Sequence, residues 1–309
     1  MTDAAAAPSH SGWLNEILDD GFSYSILSNQ LLCNVQSNYQ CIEVYDTPSF
    51  GKMLRIDSSF MASEKDEFFY HENLVHIPAC THAEPKAALI IGGGDGGSAE
   101  ELLKHPTIQS IKLVEIDHAV LDVSRTYLQA VHHGVINEVG GDPRLEIFVA
   151  DGLEYMRNSK SLYDLIILDL TDPGGPSGPL YSADFYRLCA TRLHSNGILS
   201  LQVASPFAQS KRVVSTLTAL CQAFSVVRPY MVSIPLSGGQ WMMASASQSL
   251  DPADLGVTRV DAVIRLRGLQ DLQHYNGDTH QAAMALPNFV RKYVSTTGSR
   301  WMINHGDSI

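Results

Sequence analysis

Two carboxylates, Asp169 and Asp172, close an apolar run in the stretch LIILDLTDPGGPSGPLYSADFYR, residues 165–187. Acid at the tip of a buried strand can hold a cation and accept a proton from it. The loop that follows, Pro173–Pro179, mixes prolines and glycines. It reads as a lid that orders over a ligand and excludes water. The plain alternative is a strand end followed by an Asx turn. Acids elsewhere in the chain argue against it.

Upstream, Gly92, Gly94 and Gly97 in IIGGGDGGSAEE fit the G-x-G-x-x-G pattern. The context is right: an apolar strand before, a helix after, and Glu115 at the end of the next strand in KLVEID. Glycines there let a nucleotide approach the backbone, and the acid can grip both ribose hydroxyls. Asp95 is the exception inside this loop. Such loops offer N–H groups to a pyrophosphate, which an acid would repel. NAD and FAD are therefore disfavoured, and an adenosyl sulfonium is favoured. The α-carboxylate of S-adenosylmethionine would meet the same repulsion, whereas a decarboxylated donor would not. The plainer reading is that Asp95 caps the following helix. Asp151 and Gly152, in VADGLEY, end a third strand. An acid there can accept the amine of adenine while a neighbouring N–H donates to the ring. Asp151 can also serve as a helix N-cap.

These residues need a scaffold. From Pro85 onward the chain alternates apolar strands and helices: AALIIGG, SAEELLKH, IKLVEID, HAVLDVSRTYLQAV, LEIFVAD, GLEYMRNS, YDLIILD, SADFYRLCATRLH, GILSLQV and SKRVVSTLTALCQAF. That alternation predicts an α/β fold with a mostly parallel sheet covered on both faces. The last two strands, VVRPYMVSI and QWMMASA, lack a helix between them and predict an antiparallel edge. The final 60 residues read as mostly helical. Before Pro85, residues 1–12 read as a loose tail, and the text from Tyr24 to about Phe69 alternates as a small antiparallel sheet. A helix follows in SEKDEFFYHENLVHIPACTH, with Ser63 as its expected N-cap. The expected domains are 1–80, tail and β-domain with connecting helix, and 81–309, the catalytic domain with C-terminal helices.

Composition narrows the partners. The 309 residues carry a formal charge of −12 and no basic cluster, which disfavours nucleic acid. Five widely spaced cysteines, Cys33, Cys41, Cys80, Cys189 and Cys221, argue against disulfides and zinc and fit a reducing cytoplasm. No membrane span or signal peptide is expected. Three histidines in YHENLVHIPACTH lack a metal-ligand spacing, so no metal is expected. Trp241 and Trp301 read as packing residues.

Together IIGGGDGG, VEID, DGLEY, DLTDPGGPSGPLYSADFY and EKDEFFYHE closely resemble the spermidine synthase family, the polyamine aminopropyltransferases. The resemblance spans roughly residues 13–300. It implies a Rossmann-like, methyltransferase-type domain behind a small N-terminal β-domain, assembled as a homodimer or homotetramer. It implies transfer of an aminopropyl group from decarboxylated S-adenosylmethionine, a co-substrate and not a cofactor, to a diamine, usually putrescine. By the same matching Asp169 is the proton acceptor. Gln40, Glu115, Asp151, Gly152 and Pro176 would hold the thioadenosyl part. His71, Asp95 and Asp172 would line the amine path, with Tyr70 and Trp13 near the pocket.

The chemistry fits the residues. Alkyl ammonium groups have a pKa near ~10, so the neutral nucleophile is scarce at pH 7 and needs a carboxylate to receive its proton. Asp172 would hold the far end of a dication. One departure stands out. Where the family has a tyrosine near IPTY, this chain reads SIPLSGGQW, with Ser237. Acceptor identity is thus open to cadaverine, agmatine or spermidine. A non-catalytic polyamine or nucleoside binder, an ordinary methyltransferase and a nucleotide-dependent oxidoreductase are the remaining readings. The acid pair Asp169/Asp172 opposes the first of these and Asp95 the other two.

Overall fold

A computed structural model describes residues 11–269 and 271–300. The parallel sheet forms from the runs that are apolar throughout. Its strands are β7 (Ala87–Gly92), β8 (Ser110–Glu115), β9 (Leu145–Val149), β10 (Tyr163–Asp169) and β11 (Leu193–Ala204), joined by β12 (Val226–Ile234) and β13 (Gly239–Ser247). The seven-stranded order is β12-β13-β11-β10-β7-β8-β9. The first five strands are mutually parallel, while β13 runs antiparallel to β11 and β12 antiparallel to β13. The expected α/β class and antiparallel edge are both present.

Side chains on β7 alternate between two cores. Ala88 and Ile90 pack with Leu74, Ile77 and Leu102, whereas Leu89 and Ile91 pack with Phe185, Val213 and Val290. Each face is therefore covered by helices, and a strand buried on both sides must be apolar at every position. The first face carries α1 (Glu67–Thr81) and α2 (Gly97–Leu103). The second carries α6 (Ala183–Thr191), α7 (Ser210–Cys221) and α10 (Asn288–Val294). The intervening helices are α3 (His118–Tyr127), α4 (Gln129–His132), α5 (Gly152–Asn158), α8 (Val257–Arg267) and α9 (Gly277–Ala283).

Helix α1 is buried on all sides from His71 to Thr81, so its polar residues need internal partners. Glu72 accepts the backbone N–H groups of Gln273, His274 and Tyr275 at 2.7, 2.9 and 2.7 Å. His76 lies 2.8 Å from Glu101 and 2.9 Å from His105.

The N-terminal part differs from its expected form. It is a hairpin, β1 (Gly12–Asp19) with β2 (Phe22–Ser28), and a separate four-stranded meander, β3 (Gln30–Gln36), β4 (Cys41–Thr47), β5 (Gly51–Ile56) and β6 (Ser59–Ser63). Strand β1 was not expected, because WLNEILDD alternates weakly and is ordered by pairing with β2. The meander packs Ile42, Val44, Leu54 and Ile56 on Val120 and Val123 of α3, which seats it beside the larger sheet.

Three local expectations are corrected. Ser63 ends β6 instead of capping α1, and its hydroxyl donates to Asp66 Oδ1 at 2.5 Å. Asp66 precedes the helix but makes no side-chain cap; its other oxygen accepts the distant Leu236 N–H at 2.8 Å. The helix expected over HAVLDVSRTYLQAV breaks at Leu128 into α3 and α4. Strand β11 starts at Leu193, four residues before the expected Gly197.

All five cysteines are free thiols. Among the described residues no helix is long and apolar enough to cross a membrane.

Candidate active site

The carboxyl ends of β7, β8 and β10 meet at one crevice, where the order of connections reverses on either side of β7. Ligands of open α/β sheets bind at such a point. One pocket there is lined by Gln40, Tyr70, His71, Gly92, Gly94, Asp95, Glu115, Asp151, Gly152, Asp169, Asp172, Pro176 and Ser237. Residues spread over some 200 positions are thus brought together. Gly97 stands behind the pocket, and a Cβ on it would run into the His71 ring. Trp13 lies on β1, 70 % exposed and away from the pocket wall, against the expectation. Trp241 is more than packing: it lines the pocket, and its indole N–H donates to Gln202 Oε1 at 3.1 Å. Trp301 lies outside the described residues.

Asp169 is tied to the glycine loop through its backbone. Its carbonyl accepts the Gly93 N–H at 2.9 Å. Gly92, with φ of +80°, presses so closely on that carbonyl that no side chain fits there. The Asp169 carboxylate takes the Tyr70 hydroxyl on Oδ1 at 3.0 Å and the Ser98 hydroxyl on Oδ2 at 2.6 Å. Burial and the nearby Asp95 charge push its pKa above the usual carboxylate range. A base raised in this way is better matched to neutral pH.

The bonding of the loop bears on its ligand. The N–H groups of Gly93, Gly96 and Gly97 are engaged by Asp169 O, Gly93 O and Asp95 Oδ1. They are not offered to a phosphate. Asp95 thus accepts the first N–H of α2 although the N-cap position is Gly96, and it has a second role. His71 Nε2 stands 3.5 Å from Asp95 Oδ2 and 4.0 Å from Asp169 Oδ2, ion-pair distances longer than a good hydrogen bond. Its Nδ1 lies 2.7 Å from Glu67 Oε2. Burial opposes a charge on His71, but Asp95 and Glu67 outweigh it and hold the imidazole protonated well above its ordinary range. Burial would raise Asp95, yet His71 keeps it below the usual carboxylate value. The negative charge of Asp95 is thus shared with an internal cation and is not bare, as the sequence alone suggested.

Ligand atoms of His71, Asp95 and Asp169 lie within 4.8 Å of one another, a donor set of the type divalent cations accept. A metal there would have to displace the proton that Glu67 and Asp95 hold on His71, so the donor set fits a metal poorly.

Glu115 takes the Asp117 N–H on Oε1 at 2.9 Å and is otherwise enclosed. Burial, with the Asp117 and Asp169 charges, pushes its pKa up to about 7. Asp151 caps α5 by accepting the Glu154 N–H at 2.9 Å, so the cap role holds. The loop after β10 is ordered over the rim. Ser177 donates to Asp172 O at 2.7 Å and Tyr181 to Thr171 O at 3.0 Å.

Several pocket residues escaped the sequence reading. Gln202, Glu16 and Tyr24 belong to no motif; Glu67 lies within EKDEFFYHE, and Ser98, just behind the pocket wall, within IIGGGDGGSAEE, but neither had been given a role. Glu16 is buried, accepts the Phe60 N–H at 2.9 Å and the Tyr24 hydroxyl at 2.8 Å, and burial raises it to about 7. The Tyr24 hydroxyl also reaches Leu236 O at 2.8 Å, beside Ser237. A tyrosine from β2 thus brings its hydroxyl to the loop that lacks one. Glu16 shares the inward side of β1 with buried Leu18, an alternation that the weakly patterned sequence of β1 does not show and that only the folded hairpin reveals.

A Rossmann-like α/β scaffold with carboxylates at its glycine loop defines a nucleoside-handling enzyme suited to cationic ligands. Residues 67–254 match the model of the spermine/spermidine synthase domain, and residues 12–64 that of the spermidine synthase tetramerisation domain. The chain is 45 % identical over 294 residues to a polyamine aminopropyltransferase of Nitrosomonas europaea, covering 95 % of this chain and 89 % of that protein. It is 36 % identical over 283 residues to one of Moorella thermoacetica, covering 91 % and 96 %. A crystal structure of spermidine synthase with the transition-state analogue AdoDATO superposes with a TM-score of 0.86 at 34 % identity, covering 95 % of this chain and 98 % of that one. Spermidine synthase from Thermotoga maritima gives 0.84 at 33 % identity, with the same coverage. The chain belongs to the spermine/spermidine synthase family, and it is a polyamine aminopropyltransferase enzyme.

Proposed function

We propose that this enzyme transfers the aminopropyl group of decarboxylated S-adenosylmethionine to putrescine, giving spermidine and methylthioadenosine. The observation that carries this reading is one pocket in which Asp169, Asp95 and His71 face Glu115 across adjacent strand ends. The acceptor nitrogen attacks the methylene next to the sulfonium. The carbon–sulfur bond breaks, its electron pair stays on sulfur, and the proton leaves nitrogen for Asp169. Ser98 and Tyr70 orient that carboxylate, and His71 balances its charge against Asp95.

Glu115 would hold the ribose hydroxyls and Asp151 with Gly152 the adenine edge. Gln40 and Pro176 would enclose the thioadenosyl part. Tyr70, His71 and Asp95 would line the amine path, with Asp172 and Glu16 at its far end. Alignment of the two reactants supplies much of the rate. The reaction as written needs no cofactor. The tetramerisation-domain match supports an oligomer, which we take to be a dimer or tetramer, and the small polar substrates suit the cytoplasm. Ser237 favours a second reading, the same transfer to a longer or differently ended amine.

The test is incubation of the purified protein with the decarboxylated donor and a panel of amines, with products read by mass spectrometry. Methylthioadenosine and spermidine are expected with putrescine. No methylthioadenosine with any amine would exclude aminopropyl transfer as written here.

A further inference from the structure

Asp172 was expected to receive the far ammonium of the acceptor, but in this structure it already has a cation. Arg212, on α7, places Nη1 2.6 Å from Asp172 Oδ2. Gln202 Nε2 approaches Asp172 Oδ1 at 3.3 Å. The guanidinium lies over the Tyr181 ring at 5.4 Å. Among the described residues no acceptor meets its buried Nε or Nη2. Arg212 thus depends on Asp172: taking that carboxylate away would leave a largely buried charge without its counter-ion, a costly state. An incoming ammonium would meet a carboxylate whose charge Arg212 already balances through Oδ2.

The other acid at this end has no such counter-ion in contact. Glu16 lines the same pocket and is met by the Phe60 N–H and the Tyr24 hydroxyl, both neutral donors. The Tyr24 hydroxyl has one proton and two acceptors within reach, Glu16 Oε2 and Leu236 O, each at 2.8 Å. It can therefore turn to Leu236 and leave a carboxylate oxygen to a cation.

We propose that Arg212 is a specificity-determining positioning residue: it holds Asp172 in an internal ion pair, so that Glu16 receives the far ammonium of an alkyl diamine acceptor. This rests on the aminopropyl-transfer reading above. Arg212 acts through Asp172 and touches no reacting atom. The far subsite is then set by β1 and β2 rather than by the loop after β10.

The experiment compares steady-state kinetics of the unmodified enzyme with Arg212→Met, Arg212→Lys, Asp172→Asn, Glu16→Gln and the double variant Arg212→Met/Asp172→Asn. Methylthioadenosine release is followed at varied putrescine and cadaverine. Arg212→Met is expected to lower the diamine KM by roughly five- to tenfold, as a carboxylate is unmasked. Its kcat and its donor KM should stay within about twofold. Arg212→Lys should keep the original KM, and the gain should vanish in the double variant. In the unmodified background Glu16→Gln should raise the diamine KM by about tenfold or more; Asp172→Asn bares the Arg212 charge beside the subsite and should raise it as well, an effect that the double variant removes. Turnover with an unchanged KM in Arg212→Met overturns the proposal, as does a diamine KM in the double variant well above that of the unmodified enzyme. Absence of turnover in the unmodified protein would instead defeat the transfer reading, and this proposal with it. Should Glu16→Gln fail to fold, the Arg212→Met and Arg212→Lys comparison still decides.

Discussion

Ser98 donates its hydroxyl to Asp169 Oδ2 at 2.6 Å, linking the first turn of α2 to the tip of β10. That bond favours the ionised form of a carboxylate that burial and Asp95 push the other way. Asp169→Asn is expected to reduce kcat by about 100-fold or more, the loss of a proton acceptor. Ser98→Ala should do less to kcat at high pH but move the acidic limb of the kcat/KM profile upward, because the charged form loses a donor. A profile with an unmoved acidic limb would show that Ser98 does not tune Asp169.

Asp95 of the glycine loop forms an ion pair at 3.5 Å with His71 of α1. Asp95→Asn should lower the affinity of His71 for its proton and weaken the contact with a cationic donor. Selectivity for the decarboxylated donor over S-adenosylmethionine should then narrow. Calorimetric titration with both donors measures it, and equal affinity of the unmodified protein for the two would contradict the role given to Asp95.

Gly97 faces the His71 ring with no room for a Cβ. Gly97→Ala must displace either the ring or α2, and overpacking a site of this kind costs about 1–3 kcal/mol. Thermal unfolding should show a lower Tm, and turnover should fall because Asp95 and His71 separate. A variant with unchanged Tm and turnover would mean that the loop relaxes freely.

Glu115 and Glu16 are both raised to about 7 by burial. Between pH 4.5 and 7 the folded protein holds these protons more tightly than the unfolded chain does. Stability is therefore full below the unfolded value and declines as pH rises through about 7. For Glu115 alone the effect is on the order of 3 kcal/mol. Denaturant melts at pH 5 and pH 7.5 should show this decline in ligand-free protein, and Glu115→Gln should flatten it. A stability that rises over that range in the unmodified protein would rule out these two acids as its main titrating groups.

Tyr24 supplies a hydroxyl at 2.8 Å from Leu236 O, next to Ser237. Tyr24→Phe is expected to weaken discrimination between putrescine and cadaverine, by an amount on the order of 1–3 kcal/mol for a lost buried partner. Ser237→Tyr by itself should not sharpen it while Tyr24 fills the same corner. Competition at equal amine concentrations gives both answers, and an unchanged product ratio in Tyr24→Phe would remove that residue from selectivity.

What the sequence determined by itself is what is local or periodic. The apolar runs of β7, β8 and β10 dictate buried strands, because a strand covered on both faces is nearly continuously apolar through its centre. The acids at their ends, Glu115 and Asp169, and the glycine loop with Asp95 follow from position within each β–α unit. Tertiary structure alone decided which side chains from distant elements reach those acids. Ser98 resembles any helix residue until α2 docks against β10. Tyr24 and Glu16 sit on a hairpin whose pairing is local but whose placement against the loop at Leu236 is not. Arg212 reads as a solvated helix cation, and only the packing of α7 brings it to Asp172. The physical reason is range. Hydrophobic periodicity and turn chemistry act over a few residues, whereas a hydrogen bond or ion pair between elements depends on where a whole element comes to rest in the packed core.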